Sequence, residues 1–239
     1  MNYLVLNGSP RGKNSKTMKL ANKFINGIKK EDKQANIEIF NLAEFDIEQC
    51  RACFLCWKNQ HLAVFTNEKC IISAEKNLKG QKDIMSELFD KFLNAENIIM
   101  VTPMHFFSIS SYMQIFLERL LPMVKRYYYE NARVPKDNNK YILPDFNEKN
   151  VTIISSASNY FDGAWNGVES QLDLICEHYE KIFSVTPIAT DMESKKFFDE
   201  LFKKVEIAGI EFAKDGKFSI NTKNHLFQAM KGPFYDEKN

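Results

Sequence analysis

Short apolar runs alternate with amphipathic helical patterns along most of this sequence, and that alternation constrains the fold more than any other feature. Residues 3–6 are continuously apolar, as expected of a strand that is buried on both faces of a sheet. Apolar residues then recur at helical spacing between Ala21 and Ile28. Four more apolar runs predict strands at residues 36–42, 97–103, 151–158 and 184–190. Helical patterns lie between these runs near residues 84–93, 112–120 and 168–182, and one follows the last run near residues 198–208.

Five strands that alternate with helices predict βαβ units, and therefore a parallel sheet with helices on both faces. Right-handed crossover connections leave few possible topologies, and the strand order 2-1-3-4-5 suits a sheet of this size. The sequence thus predicts an α/β protein with a doubly wound five-stranded parallel sheet in that order, arranged as three layers, α/β/α. We expect one domain over residues 1–213, followed by a polar C-terminal tail over residues 214–239.

Two segments interrupt the alternation. Residues 45–80 contain four of the five Cys residues, and residues 125–150 are rich in Tyr. We interpret both as insertions. The Tyr-rich insertion is too long for a simple connector, and could cover a ligand, join a subunit interface or form a surface hairpin.

Charge and apolar content exclude several classes of protein. The 32 Lys and Arg residues nearly balance the 31 Asp and Glu residues without a long basic block, which argues against nucleic-acid binding. No apolar run approaches the roughly 20 residues that span a bilayer, and the first residues do not resemble a signal peptide. An odd number of Cys residues does not suggest a secreted disulfide scaffold. We therefore expect a cytoplasmic protein with reduced thiols.

The loop after the first predicted strand reads "NGSPRGKNSKT" and resembles an anion site. It precedes a predicted helix, whose N-terminal N–H groups and dipole attract phosphate. Gly8 and Gly12 do not match a Walker A loop, because Asn14 separates Lys13 from Ser15, and they are too few for a dinucleotide fingerprint. An ordinary polar turn is the alternative. The candidate phosphate-binding residues are Ser9, Arg11, Asn14, Ser15 and Thr17.

Three motifs together resemble the flavodoxin-like NAD(P)H-dependent FMN reductase family, including its iron–sulfur flavoprotein branch. They are "NGSPRGKNSKTMKLANKF", "CRACFLCW" and "VTPMHFFSISSYMQIFLER", and the resemblance covers about residues 2–119. It implies a flavodoxin-like fold and bound FMN, with the FMN phosphate held by the first loop at the five positions given above.

The resemblance also implies that the loop after the third strand cradles the isoalloxazine ring. The positions carried over are Thr102, Pro103, Met104, His105, Phe106 and Phe107. His105 stands where the family usually has Tyr, and core packing of Phe106 and Phe107 is the alternative reading. The third loop, "SSASNYFDG", would reach the pyrimidine edge of the ring, through Ser156, Ala157, Ser158 and Asn159.

The Cys residues of the first insertion follow the pattern C-x2-C-x2-C-x13-C, at Cys50, Cys53, Cys56 and Cys70. Four thiolates can hold a [4Fe–4S] cluster, as in the iron–sulfur flavoproteins that this chain resembles. Those proteins place their fourth Cys only a few residues later. Structural or redox-inactive thiols and a zinc site are the alternatives.

The resemblance implies an FMN-dependent oxidoreductase that takes electrons from NADH or NADPH and passes them to a quinone, a flavin or a nitro compound. Hydride transfer to the flavin and then to an acceptor at the same ring face needs no acid or base side chain, so no catalytic residue is predicted. We expect a homodimer or homotetramer. The competing hypotheses are an electron carrier with FMN and a cluster, and a non-enzymatic module that binds another phosphate ligand.

Overall fold

A computed structural model of the protein describes residues 1–53, 83–121, 146, 148–186 and 192–231. Over these residues strands and helices alternate, as the sequence predicts. The strands are β1 (Asn2–Asn7), β2 (Asn36–Asn41), β3 (Asn97–Pro103), β4 (Asn150–Ala157) and β5 (Glu180–Val185). The helices are α1 (Lys16–Glu31), α2 (Met85–Asn94), α3 (Ser111–Glu118), α4 (Asn166–Ile175), α5 (Met192–Asp215) and α6 (Ile220–Met230).

The strands form one parallel sheet in the order β2-β1-β3-β4-β5, which confirms the predicted topology. Strand β1 pairs with β2 on one side and with β3 on the other, so the chain changes its direction of winding beside β1. The three central strands are buried along almost their whole length. Their unbroken apolar runs are explained by this position, because a strand covered on both faces has no solvent side.

Two apolar clusters cover the two faces of the sheet and complete the predicted three layers. One joins α1, α5 and α6 to alternate residues of the central strands, such as Val5, Val101 and Ile154. The other joins α2, α3 and α4 to the strand residues that face the opposite side of the sheet, such as Leu6 and Ile153. Because side chains alternate between the faces of a strand, residues of β4 two apart lie under the same helices.

The fourth crossover differs from its prediction. Helix α4 ends at Ile175 and β5 begins at Glu180, so Tyr179 and Ile182 do not continue the helix. Cys176 already has an extended backbone, and residues 187–190 of the predicted strand lie outside the described residues. The prediction was wrong because a short apolar run fits helical and extended spacing equally well. Cys176 is a core residue, as expected, and burial raises the pKa of its thiol to about 12.

Residues 214–231, placed in the polar tail on sequence grounds, continue α5 and then form α6. Gly216, with a φ of +68°, reverses the chain, and the Ser219 hydroxyl accepts a hydrogen bond from the Thr222 N–H at the start of α6. The Glu211 carboxylate accepts hydrogen bonds from Ser219 and Thr222, which fixes α6 against α5. Leu226 and Ala229 of α6 are buried. This helix therefore contributes to the core.

Both insertions lie largely outside the described residues, so the structure reports only their flanks. None of the helices in the part of the chain that the structure describes has the length and apolar character needed to cross a membrane.

Thr152 in β4 offers a stability prediction. Its hydroxyl is buried and has no hydrogen-bond partner among the residues that the structure describes. A buried, unpaired hydroxyl costs about 1–3 kcal/mol. We expect Thr152→Val to raise the free energy of unfolding by about 1 kcal/mol, measured by chemical denaturation, because valine has the same shape without the polar atom. Thr222→Val should lower it, because that hydroxyl bonds to Glu211. Equal effects of the two substitutions would contradict this account.

Candidate functional site

Three loops meet at the carboxyl ends of β1, β3 and β4, which are neighbours in the sheet. The Gly8 N–H donates a hydrogen bond to the Val101 carbonyl (2.8 Å), which joins the first loop to β3. The Met104 N–H donates to the Ser156 carbonyl (2.8 Å), which joins the second loop to the third. The structure thus brings together the three segments that the sequence selects as a site, at the edge where open α/β sheets bind ligands.

Asn7 and Gly12 shape the first loop. The buried Asn7 side chain accepts a hydrogen bond from the Ser9 N–H (3.0 Å) and donates one to Asn41 at the end of β2 (2.8 Å). Gly12 has a φ of +51°, a conformation that favours glycine, and a short 3-10 turn over Gly12–Asn14 leads into α1. Asn7 was missed at the sequence level, although Asn two residues before the group it bonds is a recognised turn signal.

Ser9 and Ser15 are buried hydroxyls that each accept one backbone N–H and keep their own hydrogen as a donor. The Ser15 oxygen caps α1 by accepting from the Met18 N–H (3.0 Å), and the Ser9 oxygen accepts from the Arg11 N–H (3.3 Å). Each hydroxyl still carries its own hydrogen. Neither hydrogen has an acceptor among the residues that the structure describes. Two buried O–H donors beside a helix N-terminus fit an anionic ligand such as a phosphate monoester.

The other three predicted phosphate residues differ in their environment. Arg11 and Asn14 are exposed, so their side chains border the first loop from the solvent side. Thr17 is buried, and its hydroxyl contacts the Ser156 hydroxyl across the sheet edge. Arg11 is therefore an exposed cation beside the first loop, whereas Thr17 lies inside it.

The second loop contains a tight turn at residues 105–108. The backbones of His105 and Ser108 exchange two hydrogen bonds (2.9 and 3.1 Å). Between them Phe106 and Phe107 have φ values of +47° and +65°. Bulky side chains rarely adopt this conformation, which costs of order 1 kcal/mol or more per residue. Such strain is concentrated at functional sites.

Buried hydroxyls fix this turn to the first loop. The Ser110 hydroxyl donates to the Gly8 carbonyl (2.6 Å), and the Ser110 N–H donates to the Thr102 hydroxyl (2.9 Å). Ser110 also caps α3. A Cβ on Gly8 would lie 2.7 Å from the Ser110 oxygen, so only glycine allows this approach. Thr102 therefore supports the site from inside, and Ser110, which sequence analysis missed, does the same.

Phe106 and Phe107 are not core residues, which rejects the packing alternative. They are 95% and 55% exposed, with ring centroids 5.5 Å apart. Phe107 also meets Phe161 of the third loop edge to face at 5.7 Å. Gly167 permits this arrangement, because a Cβ there would lie 2.1 Å from the Phe107 carbonyl oxygen. We name Phe106, Phe107 and Phe161 the aromatic rim; Phe161 was missed because no sequence spacing links it to the other two.

The third loop divides into a buried and an exposed part. Ser156 and Ala157, at the end of β4, are buried, whereas Ser158 and Asn159, which follow them, are exposed. Trp165 supports the loop from below: its indole N–H donates to the Ser155 hydroxyl (3.1 Å), and its ring stacks on Phe183 at 5.2 Å.

A cavity of about 300 Å³ lies elsewhere, between α4, β5 and α6. Its lining includes Tyr160, Trp165, Tyr179, Phe183 and Phe227, and none of the predicted site residues. Ion pairs between Lys223 and Glu180 and between Lys181 and Glu169 occupy its charged groups. The convergent donors of the three loops therefore identify the candidate site better than cavity size does.

Only two of the four predicted cluster ligands, Cys50 and Cys53, lie among the described residues. Cys50 is partly exposed and Cys53 exposed, and both have free thiols. Cys56 and Cys70 lie outside the described residues. Within residues 1–53, 83–121, 146, 148–186 and 192–231, no three metal-ligating side chains converge. The [4Fe–4S] cluster stays a prediction.

Comparison with known proteins supports the assignment of the fold. The model of a family described by its flavodoxin-like fold matches residues 1–190. An FMN-dependent NADH-azoreductase from Bacillus anthracis in complex with FMN is 16% identical, with a TM-score of 0.61, over 89% of this chain and all of that one. An NAD(P)H:quinone oxidoreductase from Methanothermobacter marburgensis is 12% identical, with a TM-score of 0.50, over 89% and 96%. No curated protein matches the chain.

Proposed function

This chain belongs to the family with a flavodoxin-like fold, and from that premise we propose that it is an FMN-dependent oxidoreductase that uses NADH or NADPH. Its electron acceptors would be small molecules such as quinones, flavins or nitro compounds. Two structures of the same fold are described as an FMN-dependent NADH-azoreductase and an NAD(P)H:quinone oxidoreductase, which supports the proposal.

The single observation that carries the proposal is the pair of buried hydroxyls, Ser9 and Ser15. Their oxygens accept backbone N–H groups, and their hydrogens, which have no acceptor among the described residues, can be donated to an acceptor that a ligand supplies. The start of α1 adds its dipole, and Arg11 an exposed positive charge beside the first loop. Together these groups fit the phosphate of FMN.

The other two loops provide for a flat ring system beside that phosphate. The backbone of residues 103–107 and the small residues Ser156 and Ala157 lie at neighbouring strand ends, where they can approach the edges of an isoalloxazine. Bound FMN would supply the hydride chemistry, as cofactors generally do. The chain's own residues bind the phosphate, orient the ring and leave one face open.

The aromatic rim favours a planar organic acceptor. Phe106, Phe107 and Phe161 expose apolar ring surface beside the predicted ring site, and exposed apolar surface of this kind marks contact with ligands or partners. The rings of the aromatic rim would stack first against a nicotinamide and then against the acceptor that replaces it. No acid or base residue is needed for this role.

The visible spectrum of the protein purified without air tests the proposal. We expect a yellow protein whose absorbance bleaches on addition of NADH or NADPH. A brown preparation would favour the electron carrier with an iron–sulfur cluster. A colourless protein that does not take up added FMN would contradict the proposal and favour a module that binds another phosphate compound.

Arg11→Ala should weaken FMN binding by roughly 10- to 100-fold. A charge-assisted hydrogen bond contributes about 1.5–3 kcal/mol, and about 1.4 kcal/mol corresponds to a tenfold change in affinity. Titration of the apoprotein with FMN, followed by quenching of flavin fluorescence, measures the change. Lys29→Ala is the matched control, because Lys29 is an exposed cation at the far end of α1. Equal affinities of the Arg11 and Lys29 variants would remove Arg11 from the site.

A further inference from the structure

Thr17 and Ser156 form a buried hydroxyl pair at the centre of the candidate site. Their Oγ atoms lie 2.5 Å apart, at the short end of the range for an O–H···O hydrogen bond. Thr17 belongs to the first turn of α1, and Ser156 lies near the end of β4, 139 residues later. The contact is possible because Ser156 and Ile154 share the face of β4 that α1 covers.

Ser156 connects the pair to the second loop as well. Its carbonyl oxygen accepts the hydrogen bond of the Met104 N–H, at the first residue after β3. One residue therefore contacts α1 through its side chain and the second loop through its backbone. Ser15 lies two residues before Thr17 at the same helix start, so two hydrogen bonds and two residues of backbone separate the phosphate donors from the ring-binding loop.

Burial makes this connection rigid. Both side chains are buried, so water cannot readily replace either partner, and separating them would leave two unpaired hydroxyls in the interior. The pair has two hydrogens and uses one between its oxygens. Neither hydroxyl has a further partner among the residues that the structure describes. The arrangement of Thr17 consequently depends on Ser156, and that of Ser156 on Thr17.

We propose that the Thr17–Ser156 hydroxyl pair couples the two ends of the site, so that an anion in the first loop raises the affinity of the other loops for the flavin ring. The inference rests on the proposed function and assigns Thr17 and Ser156 as positioning residues. An anion that orders Ser15 and the first turn of α1 also fixes Thr17, which holds Ser156 and, through its carbonyl, the backbone at Met104. Coupling between sites is reciprocal, so ring binding strengthens anion binding by the same factor.

Riboflavin and inorganic phosphate together test the coupling, because they separate the ring from the phosphate of FMN. Riboflavin affinity is measured by fluorescence quenching with and without saturating phosphate, at constant ionic strength. We expect phosphate to tighten riboflavin binding by roughly fivefold or more in the unmodified protein. Thr17→Val should abolish this factor, whereas Thr17→Ser, which restores the hydroxyl, should keep it.

Thr152→Val is the matched control, since Thr152 is another buried threonine on the same face of β4 but lacks a hydroxyl partner among the described residues. It should leave the phosphate effect unchanged. Ser156→Ala provides a second variant should Thr17→Val fail to fold, and its circular dichroism spectrum shows whether the fold is intact. It too should lose the effect.

Three results would overturn the inference: no phosphate effect in the unmodified protein, an unchanged effect in a folded Thr17→Val or Ser156→Ala variant, or its loss in Thr152→Val. These outcomes differ from failure of the proposed function, in which the unmodified protein does not bind FMN at all. FMN binding without a phosphate effect on riboflavin would reject the coupling and leave the proposed function intact.

Discussion

Replacing Gly209 with alanine should destabilise the protein by about 3 kcal/mol, because overpacking against rigid atoms costs this much. A Cβ at this position would lie 2.1 Å from the Phe24 carbonyl oxygen and 3.1 Å from the Gly27 Cα. Both are backbone atoms of α1 and cannot rotate away. Helices α1 and α5 would have to separate, which outweighs the gain of about 1 kcal/mol in helix propensity from glycine to alanine.

The expected effect extends to the candidate site. Helix α1 has Ser15 as its N-cap, Thr17 in its first turn and Gly27 at its crossing with α5. A displacement of α1 would therefore move the hydroxyl donors relative to the loops of the sheet. We expect Gly209→Ala to weaken FMN binding as well as to lower the free energy of unfolding.

Chemical denaturation measures the stability change, and fluorescence titration measures FMN binding. Asn26→Ala is the matched control: it lies next to Gly27 in α1, is exposed, and gains helix propensity without new contacts. We expect that control to be neutral or slightly stabilising. A Gly209→Ala protein as stable as the Asn26→Ala protein would show that the two helices can separate at little cost.

Replacing Arg119 with methionine should cost about 3–5 kcal/mol of stability, as expected when one partner of a buried ion pair is removed. Arg119 and Asp83 are each 1% exposed in their side chains, and the guanidinium lies 2.5 Å from the carboxylate. The same nitrogen donates to the Glu48 carbonyl (2.6 Å). Methionine fills much of the volume but leaves the Asp83 charge buried without that partner.

Arg119 also connects the two ends of the Cys-containing insertion, through its hydrogen bond to Glu48 and its ion pair with Asp83. Glu48 precedes Cys50, and Asp83 follows the insertion and accepts a hydrogen bond from the Met85 N–H at the start of α2. Loss of Arg119 should therefore loosen the segment before Cys50 in particular. Faster alkylation of Cys50 in the Arg119→Met protein, under conditions where the protein stays folded, would report this.

Denaturation of single and double variants separates the charge effect from packing. Arg119→Met combined with Asp83→Leu should recover much of the loss, because an apolar pair carries no buried charge. Lys91→Met is the control, since Lys91 pairs with Glu38 in a partly exposed position, where an ion pair contributes far less than in the interior. The account would be contradicted if Arg119→Met lowered the free energy of unfolding no more than Lys91→Met does.

The sequence predicts some parts of the site because their signals are local. "NGSPRGKNS" predicts a helix N-terminus rich in hydroxyls, and the structure places Ser9 and Ser15 there, with no acceptor for their hydrogens in the part of the chain that it describes. The predicted division between helix α4 and strand β5 was wrong, since the spacing from Val168 to Ile182 fits both periods. Ser110 and Phe161 were missed because their roles depend on partners far away along the chain, whereas the bond of Asn7 to Ser9 is local and was overlooked.

The order of apolar runs and helical patterns determines the three-layer fold, since burial on both faces of a parallel sheet imposes an unbroken apolar strand on any such chain. The first loop's donors also follow from the sequence, because a capping residue and its helix are adjacent in it. Only the tertiary structure shows that Thr17 contacts Ser156, that Phe107 meets Phe161, and that Gly27 and Gly209 let two helices touch. These contacts depend on how the elements pack in space, and no periodicity along the chain encodes the distance between residues that are more than fifty positions apart.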